Sequence, residues 1–272
     1  MLKTALSIAG TDPTGGAGTI ADVKVFQSRG VYGMSAVTSI VAQNTRGVQE
    51  VFNQPVHVIE AQLNSIYGDI VPDAVKTGML ASSEVMDVIR PFIEKHRIPY
   101  VIDPVMVAKS GDDLLDDAGK NAVRYKLLDL ATVATPNLPE LERILNMTIQ
   151  SRSAIDRAGH IFLNEIGSQS VIVKGGHMEG DAIDYLFTED GCTELPATRI
   201  ATHHTHGTGC TFSAVITAEL AKGRSIEDSV RTAKAYITSA IKNNPALGHG
   251  NGPVNHFSYR EEEHANQSVK RG

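Results

Sequence analysis

The sequence predicts an α/β protein built on a mainly parallel β-sheet with helices on both faces. Short, nearly continuous aliphatic runs alternate along the chain with longer segments of helical period. This alternation is typical of strands that crossover helices cover on both sides. The composition agrees, because hydrophobic residues make up 42% of the chain whereas aromatic residues make up only 5% and tryptophan is absent. The expected core is therefore aliphatic.

The strand and helix segments follow one another in a regular order. We expect the first strand in TALSIAG and its helix in TIADVKVFQSRG, and the second strand in MSAVTSIVA before the helix VHVIEAQLNSIYGDI. DAVKTGML then leads into SSEVMDVIRPFIEKH, and YVIDPVM into a polar stretch around LLDDAGKNAVRYKLLDL. TVATPN precedes LPELERILN, and SAIDRAGHIFLNEIG precedes SVIVKGG. The exception is AIDYLFTEDGCTELPATRI, where two strand-like runs flank Asp190-Gly191 and predict a hairpin.

Length and charge limit the class of protein. The 272 residues contain no linker, so we expect one domain over residues 1–259 and a disordered charged tail over 260–272. A net charge of −6, with no basic block before the last residues, argues against a nucleic-acid partner. No apolar run approaches the roughly 20 residues of a membrane span, and Asp12 interrupts the short apolar N-terminus. Two cysteines do not make a disulfide framework. We therefore expect a cytoplasmic protein without a membrane partner.

A first glycine-rich loop, AGTDPTGGAGTIAD, lies between the first strand and the first helix. Its GAGTIA segment fits a dinucleotide-binding fingerprint, but the acidic residue expected about 20 positions later is missing before Glu50. A Walker A loop is excluded, since Gly15 is followed by Gly16 and not by lysine. Taken alone, the loop is best interpreted as a flexible turn, and a dinucleotide-dependent oxidoreductase that uses this fingerprint is kept as a remote alternative function.

A second glycine-rich loop, THHTHGTGC, precedes a run of good helix formers. Gly207, Thr208 and Gly209 would present backbone N–H groups and the positive end of a helix dipole to a phosphate. The same loop leaves a zinc site open as an alternative, because three histidines stand close to Cys210: His203, His204 and His206. No CxxC or HExxH motif accompanies them.

Two further motifs place oxygen ligands at strand ends. In TPNLPE, Asn137 and Glu140 have the spacing of a helix capping box. The same two residues could hold magnesium near the carboxyl end of a strand, and both roles are compatible. Asp103 ends the apolar strand YVID, where α/β sheets place ligand groups, although a turn or cap aspartate is the simpler interpretation.

Taken in order, these motifs resemble one known family. IAGTDPTGGAG, VAQNT, KTGML, DPVMVAKSGD, TPNLPE, VKGGH, HTHGTGC and GPVNHF are similar to the hydroxymethylpyrimidine/phosphomethylpyrimidine kinases of thiamin biosynthesis, in the ribokinase-like superfamily. The resemblance runs from about Leu6 to Tyr259. It implies a ribokinase-like α/β fold with a small β hairpin or flap, and a homodimer. It also implies ATP-dependent phosphorylation of the pyrimidine's hydroxymethyl group and then of the monophosphate.

The resemblance also implies roles for particular residues. The pyrimidine pocket would be lined by Gly10, Ala17, Asp22, Gln43, Met79 and Val105. The Gln43 amide offers the donor and acceptor that an aminopyrimidine edge requires. ATP and the transferring phosphoryl group would meet Lys174, Gly207, Thr208, Gly209 and Lys234, with magnesium organised by Asp103, Asn137 and Glu140.

Cys210 stands where related sugar kinases commonly carry an aspartate. A helix N-terminus can lower the pKa of a thiol, so we expect Cys210 to act as a base of lowered pKa. A pyridoxal kinase of the same branch is the nearest alternative, because it shares the fold and the cysteine. Its ring lacks the aminopyrimidine edge, and Gln43 therefore favours the pyrimidine substrate.

Overall fold

The computed structural model describes residues 1–106, 117–175 and 182–259. The strands of the main sheet are β1 (Thr4–Ala9), β2 (Tyr32–Val37), β5 (Ala74–Thr77), β6 (Tyr100–Ile102), β7 (Val133–Ala134), β8 (Val171–Val173), β9 (Asp184–Thr188) and β10 (Gly191–Leu195), and those of a separate flap are β3 (Ser39–Asn44) and β4 (Gly47–Asn53). The helices are α1 (Gly18–Ser28), α2 (Val56–Tyr67), α3 (Ser83–His96), α4 (Asp117–Lys126), α5 (Leu138–Leu145), α6 (Arg152–Ile161), α7 (Thr208–Ala221) and α8 (Ile226–Lys242). A 3₁₀ turn follows α4 at Leu128–Leu130, and a π-helical turn follows α6 at Phe162–Ile166.

The main sheet has eight strands in the order β10-β9-β8-β7-β6-β5-β1-β2. All pairings from β2 to β8 are parallel. The β8–β9 and β9–β10 pairings are antiparallel, and β9 and β10 form a hairpin around Asp190-Gly191. The predicted mainly parallel α/β sheet and the predicted hairpin are both confirmed.

Helices cover both faces of the sheet, as the aliphatic strands predict. Residues of β1 alternate between the faces: Leu6 and Ile8 pack with α2 and α3, whereas Ala5 packs with α1, α7 and α8. Each fully buried Leu or Ile contributes about 1.5–3 kcal/mol relative to exposure. Helix α7 is buried from Thr211 to Ala221, because it lies between the sheet and its two neighbouring helices. Its N-terminus is thereby fixed at one edge of the sheet.

The flap corrects one sequence prediction. MSAVTSIVA does not form one strand, because the chain leaves the main sheet at Thr38. There the Thr38 amide donates to Ala9 O at 3.0 Å, and the hydroxyl donates to Met79 O at 2.7 Å. Beyond this point β3 pairs with β4 in the two-stranded flap. Hydrophobic alternation reports which residues are extended, but it does not report where an extended chain bends.

Two other predictions concern the limits of the chain. The expected disordered tail at 260–272 lies outside the described residues. Within the described ranges, no helix is both long and apolar enough to cross a membrane.

Candidate active site

A cavity of about 990 Å³ opens at the edge of the sheet where β1, β5 and β6 end and α7 begins. Its volume is at the upper end of the range for small-molecule sites, so it has room for two ligands side by side. Most of the residues that the sequence singled out lie on its wall, namely Gly10, Ala17, Gln43, Met79, Asp103, Val105, Asn137, Glu140, Lys174, Gly207, Thr208, Gly209, Cys210 and Lys234. The fold therefore brings into one cavity residues that are up to 224 positions apart, from Gly10 to Lys234.

Asp22 does not belong to this wall. It is fully buried, and both carboxylate oxygens are occupied: Ser7 Oγ donates to one at 2.6 Å and Lys76 Nζ lies 2.6 Å from the other. Asp22 is not among the described residues that line the cavity. The expectation that Asp22 lines the pocket is therefore wrong, because its side chain lies one layer behind the cavity wall.

Lys76 is a functional candidate that the sequence analysis missed. Its side chain is 0% exposed, and its Nζ also lies 3.5 Å from the carbonyl oxygen of Cys210, in the first turn of α7. Burial opposes the charge of Lys76, but the carboxylate of Asp22 raises its pKa. A single charged residue inside the predicted buried strand AVKT was the available signal, because lysine is almost never fully buried without a partner.

The two glycine-rich loops meet at the start of α7. Gly207 has a φ of 78°, in the left-handed region, and a Cβ there would overlap the carbonyl oxygen of Gly16. Only glycine fits this position. No side chain caps α7, whose first turn therefore presents its positive dipole end to the cavity. The phosphate-binding role of this turn stays a prediction.

A lysine–aspartate pair lies opposite that turn. Lys174 Nζ is 3.3 Å from Asp103 Oδ1, which also accepts a hydrogen bond from Thr135 Oγ1 at 3.1 Å. Burial alone would lower the pKa of Lys174, but Asp103 and Glu140 raise it. A Cβ on Gly209 would lie 3.3 Å from Asp103 Oδ2, so the turn and the pair are in close contact.

The capping box at the start of α5 is confirmed. Asn137 Oδ1 accepts from the Glu140 amide at 2.9 Å, and Glu140 Oε2 accepts from the Asn137 amide at 2.8 Å. Burial raises the pKa of the Glu140 carboxyl to about 7, against the opposing effect of Lys174. Both side chains also line the cavity, so the structural role does not exclude a ligand role.

Lys234 lies in another part of the cavity wall. Its Nζ donates to Asp184 Oδ2 at 2.7 Å and to Ala182 O at 2.8 Å. The lysine charge is thus paired with the Asp184 carboxylate.

Comparison with known proteins identifies the family of this site. The family model for phosphomethylpyrimidine kinase matches residues 12–255. A hydroxymethylpyrimidine/phosphomethylpyrimidine kinase of Staphylococcus aureus is 56% identical over 264 residues, covering 96% of each chain. The chain belongs to the phosphomethylpyrimidine kinase family.

Solved structures of this and a related kinase type have the same fold. The phosphomethylpyrimidine kinase of Clostridium difficile is similar with a TM-score of 0.79 and 39% identity, covering 88% of this chain and 99% of the other. An ADP complex of Bacillus subtilis pyridoxal kinase is similar with a TM-score of 0.88 and 39% identity, covering 96% and 99%. Membership of the phosphomethylpyrimidine kinase family makes the protein a phosphotransferase, and the dinucleotide-dependent alternative is thereby excluded.

The structure does not support the zinc alternative. Within the described part of the chain, no three His, Cys, Asp or Glu side chains form a group that could hold a metal ion. The histidines have other contacts instead: His206 Nε2 lies 2.7 Å from Asp12 Oδ2, and His204 Nδ1 accepts from the Gly252 amide at 3.2 Å.

The pKa of the Cys210 thiol is raised, whereas the sequence predicted that it would be lowered. The thiol is half-buried at the cavity wall, and burial raises its pKa to about 11. Lys76 opposes this shift, whereas the carboxylates of Asp22 and Asp103 add to it. The prediction of a lowered pKa is therefore wrong. The sequence showed the helix start but not the burial and the carboxylates around it.

Proposed function

We propose that this enzyme is a cytoplasmic kinase that uses ATP to phosphorylate 4-amino-5-hydroxymethyl-2-methylpyrimidine. It then phosphorylates the resulting monophosphate and so forms the pyrimidine diphosphate for thiamin biosynthesis. One observation carries the proposal: the Gln43 amide and the Gly207–Cys210 turn line the same cavity. The names of the curated relatives support it.

Recognition of the ring would come from the flap and the strand ends. Gln43 pairs with the amino group and the adjacent ring nitrogen, for which its amide has one acceptor and one donor. Met79 and Val105, both on the cavity wall, give the ring apolar surfaces. The hydroxymethyl group would then point toward the start of α7.

Phosphoryl transfer would depend mainly on positioning and charge. The Gly207–Gly209 backbone holds the transferring phosphoryl group, while Lys174 and Lys234 meet the phosphates of ATP. The oxygen atoms of Asp103, Asn137 and Glu140 suit magnesium, which is usually bound by one or two carboxylates together with substrate phosphates. When bound there, magnesium would neutralise phosphate charge.

A single assay tests the proposed function. ADP release is measured with hydroxymethylpyrimidine, its monophosphate and pyridoxal side by side. The proposal requires turnover of both pyrimidines. Turnover of pyridoxal alone would support the second candidate, a pyridoxal kinase, which the TM-score of 0.88 to the Bacillus subtilis enzyme favours.

Gln43→Met should change the substrate preference. The variant leaves the aminopyrimidine edge without its hydrogen-bonding partner, which costs about 1–3 kcal/mol. We therefore expect kcat/KM for hydroxymethylpyrimidine to fall by roughly one to two decades, while activity with pyridoxal falls less or rises. Gln49→Met, on the exposed part of β4, is the matched control and should change neither value. Equal losses on both substrates would contradict the role of Gln43.

Glu140→Gln separates the capping role from the magnesium role. Glutamine keeps the capping box but removes a charge. We expect the magnesium concentration that gives half-maximal rate to rise several-fold, as measured by titration at saturating ATP. If the magnesium dependence is normal and the stability falls strongly, Asn137 and Glu140 have a structural role only.

The melting temperature of Glu140→Gln provides a second readout. The folded-state pKa of Glu140 is raised from 4.5 to about 7. The stability that its protonated form contributes is therefore complete below pH 4.5 and is lost as the pH rises through 7. At pH 8 the wild type buries a carboxylate whereas the variant does not, so the variant should melt at an equal or higher temperature.

We also propose that the enzyme is a homodimer, as the family resemblance implies. Ile40 and Phe52 are directly paired on the outer face of the flap and are 55% and 62% exposed, which makes this face a candidate contact between two copies. Light scattering should give twice the mass of one chain for the wild type and a lower mass for Phe52→Asp. Gln49→Asp adds the same charge elsewhere on β4 and should remain dimeric. A monomeric wild type would refute the proposal.

A further inference from the structure

One carboxylate–imidazole contact at the active site has no part in the function proposed above. Asp12 lies in the loop between β1 and α1, and His206 immediately precedes the phosphate-binding turn. The His206 Nε2 and Asp12 Oδ2 atoms are 2.7 Å apart, and the two side chains are 14% and 0% exposed. The contact joins segments 194 positions apart in sequence.

Asp12 determines the shape of its own loop. One oxygen accepts from the Thr14 amide at 2.9 Å and from the Thr14 hydroxyl at 2.8 Å. The other accepts from the Ala17 amide at 2.9 Å and also faces His206. Burial alone would raise the pKa of Asp12, but the hydrogen bonds from His206 and Thr14 hold it below its usual value. An ionised Asp12 therefore connects the backbone around Ala17, on the cavity wall, to His206.

His206 is fixed from the opposite side by the C-terminal loop. Its amide donates to Gly252 O at 3.0 Å, and its carbonyl oxygen accepts from the Val254 amide at 3.2 Å. Its ring packs on Gly16, where a Cβ would lie 2.7 Å from Cδ2. The imidazole is therefore held in place independently of Asp12.

The C-terminal loop is also connected to the flap. Thr45 Oγ1, in the turn between β3 and β4, accepts from the His249 and Gly250 amides at 3.2 Å each. Three segments around the cavity thus converge on His206: the Asp12 loop, the phosphate-binding turn and the loop that contacts the flap.

The geometry points to Asp12 and His206 as a positioning pair that sets the distance between the loop bearing Ala17 and the turn bearing Gly207–Cys210. Both segments are rich in glycine and have few side chains to fix them by packing. The inference rests on the proposed function, because these segments would hold the acceptor ring and the transferring phosphoryl group. A displacement of about 1 Å between reacting groups can cost about 100-fold in rate.

The test compares substitutions of His206 that keep or remove the hydrogen bond. His206→Leu should lower kcat by about 10- to 100-fold. His206 borders the cavity, but the residues proposed to bind the ligands, Gln43, Lys174 and Lys234, are unchanged, so KM for ATP and for the ring substrate should stay within about threefold. His206→Gln places an amide donor near the position of Nε2 and should retain most of kcat. His203→Leu, in the same loop but exposed, is the matched control and should behave as wild type. If His206→Leu does not fold, His206→Asn is measured in its place, because its shorter side chain does not reach Asp12.

The outcomes distinguish this inference from the proposed function. All variants are assayed with whichever ring substrate the wild type phosphorylates, so a wild type active only on pyridoxal rejects the pyrimidine proposal but still tests the pair. A wild-type kcat in the folded Leu or Asn variant overturns the inference. A folded His206→Gln variant with a kcat as low as that of the Leu or Asn variant also overturns the inference, because the hydrogen bond to Asp12 would then not matter.

Discussion

Cys210→Ala should lower kcat by about two to four decades while leaving ATP binding nearly unchanged, if the Cys210 thiolate accepts the proton of the substrate hydroxyl. The lower end of this range is expected, because the Gly207–Gly209 turn and Lys174 remain in place. Because burial raises the pKa of this thiol to about 11, the rate that depends on the thiolate should increase with pH up to that value. Steady-state rates and calorimetric titration with an ATP analogue measure the two quantities. Cys210→Asp should recover part of the rate, since a carboxylate serves this position in related sugar kinases. Cys192→Ala, at the other free cysteine, is exposed and should have no effect.

Alkylation tests the acidity of Cys210 directly. The thiolate is the reactive form, and the pKa of Cys210 is raised to about 11 rather than lowered below the free value of about 8.5. Inactivation by iodoacetamide should therefore be slow at neutral pH and should accelerate as the pH rises toward 11. Bound pyrimidine should protect, because Cys210 lines the cavity.

A Cys210→Ala variant with wild-type kcat would make the thiol only part of the cavity wall. The proton would then pass to water. Asp22 could not take it, because it is fully buried and both of its oxygens are occupied.

Lys76→Met should lower the free energy of unfolding by about 3–5 kcal/mol, because it leaves the Asp22 carboxylate buried without its charged partner. Among the described residues, the Ser7 hydroxyl would be the remaining side-chain donor to Asp22. The loss is large beside a typical total stability of about 5–15 kcal/mol. Urea denaturation followed by circular dichroism measures it.

Two controls identify the origin of this loss. The double variant Lys76→Met/Asp22→Leu removes both charges and should recover most of the stability, because replacing a buried ion pair by apolar side chains is often neutral or stabilising. Lys3→Met breaks the exposed pair with Asp73 and should cost at most about 1 kcal/mol. Two results would show that the buried charges are not coupled. One is a smaller loss of unfolding free energy for Lys76→Met than for Lys3→Met, and the other is a double variant as unstable as Lys76→Met.

Features that depend on neighbouring residues were determined by the sequence itself. The aliphatic runs gave the parallel strands, Asp190-Gly191 gave the hairpin, and Asn137 with Glu140 gave the capping box. Each of these follows from periodicity, turn chemistry or a hydrogen bond within a few residues. The motifs also indicated the family, because their residue types and order are visible without a structure.

The tertiary structure alone decided how distant groups act on one another. The partner of Asp22 is Lys76, 54 positions away, and the partner of Asp12 is His206, 194 positions away. The bend at Thr38 depends on hydrogen bonds to the ends of two other segments. The raised pKa of Cys210 depends on burial and on carboxylates from α1 and from the end of β6. Desolvation and charge act through space, and only the folded chain determines which groups come within that range.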